Sequence, residues 1–194
     1  MIAMRQWLVV CLATLASVGP GAAVSAQSPP ARSADTRHVR VELIADRASL
    51  QPGEQWLGVK FTLEPGWHIY SINPGDSGAP PEVRWQLPAG VAASPFEWPA
   101  ARRIEVGGLV DVGYLDSVVL PVKLTVAARA AVSPAVVEAS LRWLMCKNIC
   151  TSGQAAVALR WPLAAADRAA AASWREEIAH ARSLVPPAGR QPAP

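Results

Sequence analysis

The chain has 194 residues, of which 51% are hydrophobic, 17% charged and 6% aromatic. That much apolar material excludes a disordered chain, and the confinement of long apolar runs to the N-terminus excludes a polytopic membrane protein. A net charge of +3 without a Lys/Arg cluster excludes a nucleic-acid partner, and 18 prolines with 13 glycines disfavour a helical bundle and fit short strands joined by turns.

Residues 1–26 read as a secretory signal peptide. Arg5 supplies the positive start, Trp7 to Val18 the apolar stretch, and Val24-Ser25-Ala26 the small residues of a cleavage site before Gln27. The chain is therefore expected to be exported. Cys11 leaves with this segment, so the mature chain keeps Cys146 and Cys150. An even pair in an exported protein suggests a disulfide. Residues 27–37, rich in Ser, Pro and Ala, read as a flexible lead-in. His38 to Leu43 then alternates polar and apolar side chains as a half-buried strand does. After the turn Gln51-Pro52-Gly53-Glu54, Trp56 to Leu63 places Leu57, Val59, Phe61 and Leu63 on one face. Trp67 to Ile72 reads as a third strand, residues 73–81 as a dense loop, and Val83 to Leu87 as a short strand. Arg102 to Val106 and Leu109 to Tyr114 flank a Gly107-Gly108 turn. Val118 to Val126, Val136 to Trp143 and Ala155 to Trp161 are strongly apolar strands. This spacing of strands and turns predicts a sandwich over residues 38–162. Residues 163–185 differ: Trp174, Ile178, Ala181 and Val185 recur at helical spacing, and Pro186-Pro187 ends the helix ahead of a Pro-rich tail, 186–194.

Two segments concentrate chemistry. The first is Trp143-Leu144-Met145-Cys146-Lys147-Asn148-Ile149-Cys150, at a strand end and tight loop where two Cβ atoms come within bridging range. A ring this small contributes only about 2 kcal/mol of loop entropy. A weak staple is compatible with exchange as well as with a permanent hairpin disulfide. Lys147 and Arg142 are cations that would favour a thiolate, and any base must come from elsewhere in the fold. Zinc would need two further ligands from His38, His68 and His180. The second segment is Gly66-Trp67-His68-Ile69-Tyr70, followed by Asn73-Pro74-Gly75-Asp76-Ser77-Gly78. On a strand His68 and Tyr70 share one face, where they would line a pocket; the alternative is a corner that merely fixes turns.

Taken together with Pro80-Pro81, Trp85, Leu87-Pro88, Trp98-Pro99 and Gly113-Tyr114, these motifs resemble the N-terminal periplasmic domain of DsbD-type thiol:disulfide interchange proteins, in particular the ScsB-like branch. The resemblance covers about residues 38 to 162. It implies an all-β, immunoglobulin-like β-sandwich, here followed by one C-terminal α-helix, with Cys146 and Cys150 as the redox pair. Cys150 is the expected client-attacking sulfur. The resemblance also implies a shielding aromatic cap, for which Val112 to Leu115 with Tyr114 is the candidate. It implies, finally, electrons from a membrane partner, a DsbD- or CcdA-like donor, or from a thioredoxin-like periplasmic domain, passed on to client disulfides. No transmembrane or thioredoxin-like segment is read after the helix, so a separate donor is expected. The anticipated protein is a monomer with no cofactor beyond the disulfide. The competing reading is a non-catalytic binding module with a structural disulfide. Because the ScsB-like branch is associated with copper tolerance, its first ligand would be copper(I), held by thiolates and Met145.

Overall fold

The computed structural model describes residues 30–130 and 134–187. Residues 1–29, which include the segment read as a signal peptide, and the last seven residues lie outside them, as do 131–133. In chain order the elements are β1 (Ser33–Asp35), β2 (Val39–Ala45), β3 (Gly53–Leu63), β4 (His68–Gly75), β5 (Glu82–Gln86) and β6 (Val91–Ala93). They continue with β7 (Arg102–Val106), β8 (Leu109–Leu115), β9 (Ser117–Val126), β10 (Ala135–Cys146), β11 (Cys150–Trp161) and α1 (Ala165–Ser183).

Strand alternation builds two antiparallel sheets around one core. The first runs β1-β2-β3-β9-β6 and the second β11-β10-β4-β8-β7. In the second, β4 and β5 share one side of β10, β4 at Met145–Cys146 and β5 at Glu138–Arg142. Val41, Leu43, Leu57, Val59, Phe61, Leu120, Val122 and Leu124 face inward from the first sheet. Val137, Leu141, Trp143, Met145, Val157 and Leu159 meet them from the second. The immunoglobulin-like sandwich and the C-terminal helix are as the sequence indicates.

Helix α1 lies on the outer face of the first sheet. Ile44 and Val119 point outward there, yet both are buried, because Trp174, Ile178 and Ala181 cover them. Gly58 makes the close approach possible: a Cβ on it would stand 2.6 Å from Val119 Cγ1 and 3.2 Å from Ile178 Cγ1. Burial of a side chain such as Ile178 stabilises the docked helix by about 1.5–3 kcal/mol.

Three local expectations are corrected. The lead-in read as flexible holds β1, which pairs with β2 through Ser33↔Glu42; its short polar side chains carry no apolar alternation to announce it. β3 begins at Gly53, inside the segment read as a turn, because its partner β9 runs on to Val126. β4 continues to Gly75 past the expected start of the loop, with a register shift against β8 between Tyr70 and Gly75.

Candidate functional site

The two cysteines form the last rung of the β10/β11 hairpin. Cys146 pairs with Cys150 in register, their Cα atoms lie 4.2 Å apart, and the sulfurs are joined. The loop between them closes through a Lys147 N–H bond to the Ile149 carbonyl. The sulfurs have unequal surroundings: Cys146 is 2% exposed, whereas Cys150 lies at the surface beside Ile149, itself 71% exposed.

The neighbouring strand delivers the polar groups. Cys146 stands opposite His68 on β4. Alternation puts His68 and Tyr70 on the same outward face of the sheet, with Gly113 and Asp111 beside them on β8. Outward residues of a sandwich are usually wet, but these are not: His68, Tyr70 and Asp111 are each buried to 2% exposure or less. The loop that follows β4 covers them. Its Gly78, at φ +81°, lies flat against the Tyr70 ring, and a Cβ there would fall 2.1 Å from Tyr70 Cζ.

Under this cover is a connected set of hydrogen bonds. The Tyr70 hydroxyl is 2.7 Å from Cys146 Sγ and 3.8 Å from Cys150 Sγ. It also reaches Asp111 Oδ2 at 3.3 Å. Ser77 donates to Asp111 Oδ1 at 2.7 Å, and His68 Nε2 lies 3.2 Å from Asp111 Oδ2. Burial, with the adjacent Asp111 charge adding to it, raises the Tyr70 phenol above its ordinary range, while the Ser77 hydrogen bond opposes the shift. Tyr70 is thus held as a hydrogen-bond donor at the buried sulfur.

The structure sorts the candidate residues. Cys146, Cys150, His68 and Tyr70 come together. Trp67 and Ile69 face the core, so the corner and the pocket are one construction, its two faces used differently. Lys147 is near in sequence but is tethered to the β3–β4 turn, where its Nζ donates to the Pro65 carbonyl at 3.1 Å. Tyr114 does not cap the pair. It pairs with Ile69 and belongs to the core, its hydroxyl donating to the Pro99 carbonyl at 2.8 Å, and burial raises its phenol far above the usual range. Val112 to Leu115, read as a cap, is part of the regular strand β8. Met145 faces the core from the side of β10 opposite Cys146, so it does not join the sulfurs as a third ligand. Of the other histidines, His38 stacks on Trp67 and bonds Glu64, and His180 lies on α1, which packs on the other sheet. Among the described residues no three His, Cys, Asp or Glu side chains group as metal ligands would.

Sequence reasoning missed Asp111 and Ser77. The signal for Asp111 was present in Leu109-Val110-Asp111-Val112-Gly113, an acid inside an apolar strand with no neighbouring cation. The position of Ser77 rests on the fold of the covering loop, which no local pattern specifies.

Comparison with known proteins agrees with the fold. A structural match is the N-terminal periplasmic domain of ScsB from Proteus mirabilis, at TM-score 0.58 and 25% identity over 78% of this chain. The match spans 56% of that protein's crystallised chain, so this chain corresponds to little more than half of it. The yeast GGA1 GAE domain also aligns, at 11% identity and TM-score 0.36 over 65% of this chain and 95% of its own, and supports no conclusion. No curated protein matches the sequence. The family described as thiol:disulfide interchange protein DsbD, N-terminal, matches residues 39–161. A disulfide-bearing immunoglobulin-like sandwich with that match over nearly all its strands belongs to the DsbD N-terminal domain family.

Proposed function

We propose that this protein is a periplasmic thiol–disulfide exchange module that reduces client disulfides and is itself re-reduced by a separate dithiol partner. The observation that carries the reading is the buried Tyr70 hydroxyl, 2.7 Å from the sulfur of the less exposed cysteine. A permanent hairpin disulfide needs no such donor.

Exchange then follows from the unequal burial of the sulfurs. In the reduced protein the exposed Cys150 thiolate attacks a client disulfide; one client sulfur leaves as a thiolate and a Cys150–client disulfide forms. The Cys146 thiolate next attacks Cys150 Sγ, the Cys150–client bond breaks, and the second client sulfur leaves. The client has gained two electrons and takes up two protons, and the protein holds the Cys146–Cys150 bond seen here. Re-reduction runs the same steps backwards: a donor dithiol attacks Cys150, and Cys146 leaves as a thiolate. At that moment Tyr70 donates its proton's hydrogen bond to an anion, where such a bond is strongest. In the oxidised protein seen here the hydroxyl already stands at that sulfur, with Asp111 Oδ2 as a second, more distant acceptor at 3.3 Å. The donor fits the description of a thioredoxin-like domain or a membrane protein of the DsbD or CcdA type. The export signal and the periplasmic relative support the location.

Single-cysteine variants test the assignment. Cys146→Ser should accumulate a mixed disulfide through Cys150 with a disulfide-bonded client, and Cys150→Ser should accumulate far less. Failure of both variants to trap any partner would leave the module with a structural disulfide and overturn exchange.

A further inference from the structure

Strand β11 is an outer strand of its sheet, and Cys150 is its first residue. Its pairing with β10 runs without a shift from Ala135↔Trp161 to Cys146↔Cys150. The Ala158 N–H turns away from β10 and donates to the Ala31 carbonyl at 2.8 Å. By the two-residue period of a strand, the N–H and C=O groups of Ala156, Gln154, Ser152 and Cys150 turn the same way. Among the described residues, no strand pairs with them there.

Free edges are usually guarded by charge, proline or brevity. At the opposite edge of this sheet, β7 carries Arg102, Arg103 and Glu105, and β5, beside β10, carries Glu82 and Arg84. The stretch Thr151-Ser152-Gly153-Gln154-Ala155-Ala156 has no charge and no proline. On the outward face beside it lies a shallow groove of 510 Å³, lined by Pro80, Glu82, Arg142, Leu144, Ser152 and Gln154. An unguarded edge is a hazard unless something is meant to pair with it, and here it starts at the exposed sulfur.

We propose that this edge takes an extended, cysteine-bearing segment of the client polypeptide as an added strand of the sheet. The inference rests on the exchange reading and specifies how the client is held for it. A residue of an added strand placed opposite Cys150 would have its Cα about 5.5 Å away, within the separation of about 4.4–6.8 Å that a disulfide spans. Main-chain hydrogen bonds to Ser152–Ala156 thus bring the client sulfur to Cys150 with little dependence on client sequence, and the groove receives alternate side chains.

The test compares a small with an extended substrate. Gln154→Pro removes an edge donor that β10 does not use, so the hairpin is retained. Reduced wild-type and variant proteins are mixed with glutathione disulfide and with a short extended peptide carrying its cysteine as a glutathione mixed disulfide. The expected result is a loss of about tenfold in exchange with the peptide, from one or two edge hydrogen bonds, and an unchanged rate with glutathione disulfide. Equal effects on both, or none on either, overturn the inference. A peptide N-methylated along one edge should show the same loss against the wild-type protein, and that arm decides the matter if the variant misfolds. If the wild-type protein exchanges with neither substrate, the exchange reading falls by itself. Strand addition is then read from a serine-for-cysteine peptide: slowed amide hydrogen exchange at Ser152, Gln154 and Ala156 supports it, and unaltered exchange there overturns it.

Discussion

Tyr70 has a single hydroxyl hydrogen, and the acceptors within its reach include Cys146 Sγ and Asp111 Oδ2. Which of them receives it sets the acidity of the buried thiol, and the two neighbours act in opposite senses. Tyr70→Phe removes a donor from the thiolate, and a hydrogen bond to a charged group is worth about 1.5–3 kcal/mol, or about one to two pKa units. The Cys146 thiol should therefore rise by that amount and re-reduction should slow at neutral pH. Asp111→Asn removes a negative charge and leaves a weaker competing acceptor, so the thiol should fall. Thiolate absorbance against pH reads both shifts, and equal movement of the two variants in one direction would sink the competition. Half of this site was legible in the sequence. The Cys-x-x-x-Cys spacing and the shared face of His68 and Tyr70 are short-range facts that any strand would honour. The contact between Tyr70 and Cys146 spans 76 positions and depends on the pairing of β4 with β10.

Elements were legible wherever alternation was strong, as in β9 and β10, and blurred where backbone pairing outweighed it. The Gly53 to Gln55 start of β3 and the whole of β6 are strand because partners on β9 reach them. Tyr114 shows why the cap was misplaced: aromatic character marks a large side chain, but parity along β8 decides its face, and Gly113 rather than Tyr114 stands opposite Tyr70. The hairpin that carries the cysteines has its own steric lock. Trp143 lies across Gly153, its cross-strand partner, and a Cβ on Gly153 would stand 2.3 Å from the indole Cε2. Gly153→Ala should therefore force the ring aside at a cost of about 1–3 kcal/mol. Chemical denaturation would show it as a lower midpoint, and an unchanged midpoint would mean the ring has room to move.

At the scale of the whole molecule, the helix completes a fold that the strands leave open. Its docking residues were readable from their spacing, but the surface receiving them was not, because Gly58 offers no side chain and Ile44 and Val119 look like surplus apolar residues in alternating strands. Near this junction Asp46, which follows β2, keeps Oδ1 buried without a hydrogen-bond partner. Burial raises its carboxyl above the usual range, against smaller opposing effects that include Arg47 and Arg175. A raised folded-state pKa contributes stability that is complete below the unfolded value of about 4 and is lost as pH rises through the folded one. Asp46→Asn should therefore raise the melting temperature at about pH 7 and leave it nearly unchanged at about pH 3; a gain of equal size at both would point to packing instead. The position of the disulfide has a consequence of another kind. Cys146↔Cys150 closes a ladder whose remaining rungs, Met145↔Thr151 through Ala135↔Trp161, hold the strands together without it. Breaking the bond removes a terminal tie and no internal one, so the charged and discharged forms are expected to share a shape. On the proposed exchange reading, such a module would work as a rigid capacitor: it would store an electron pair without spending conformational work on each cycle, and its partners would have to distinguish full from empty at the sulfurs themselves.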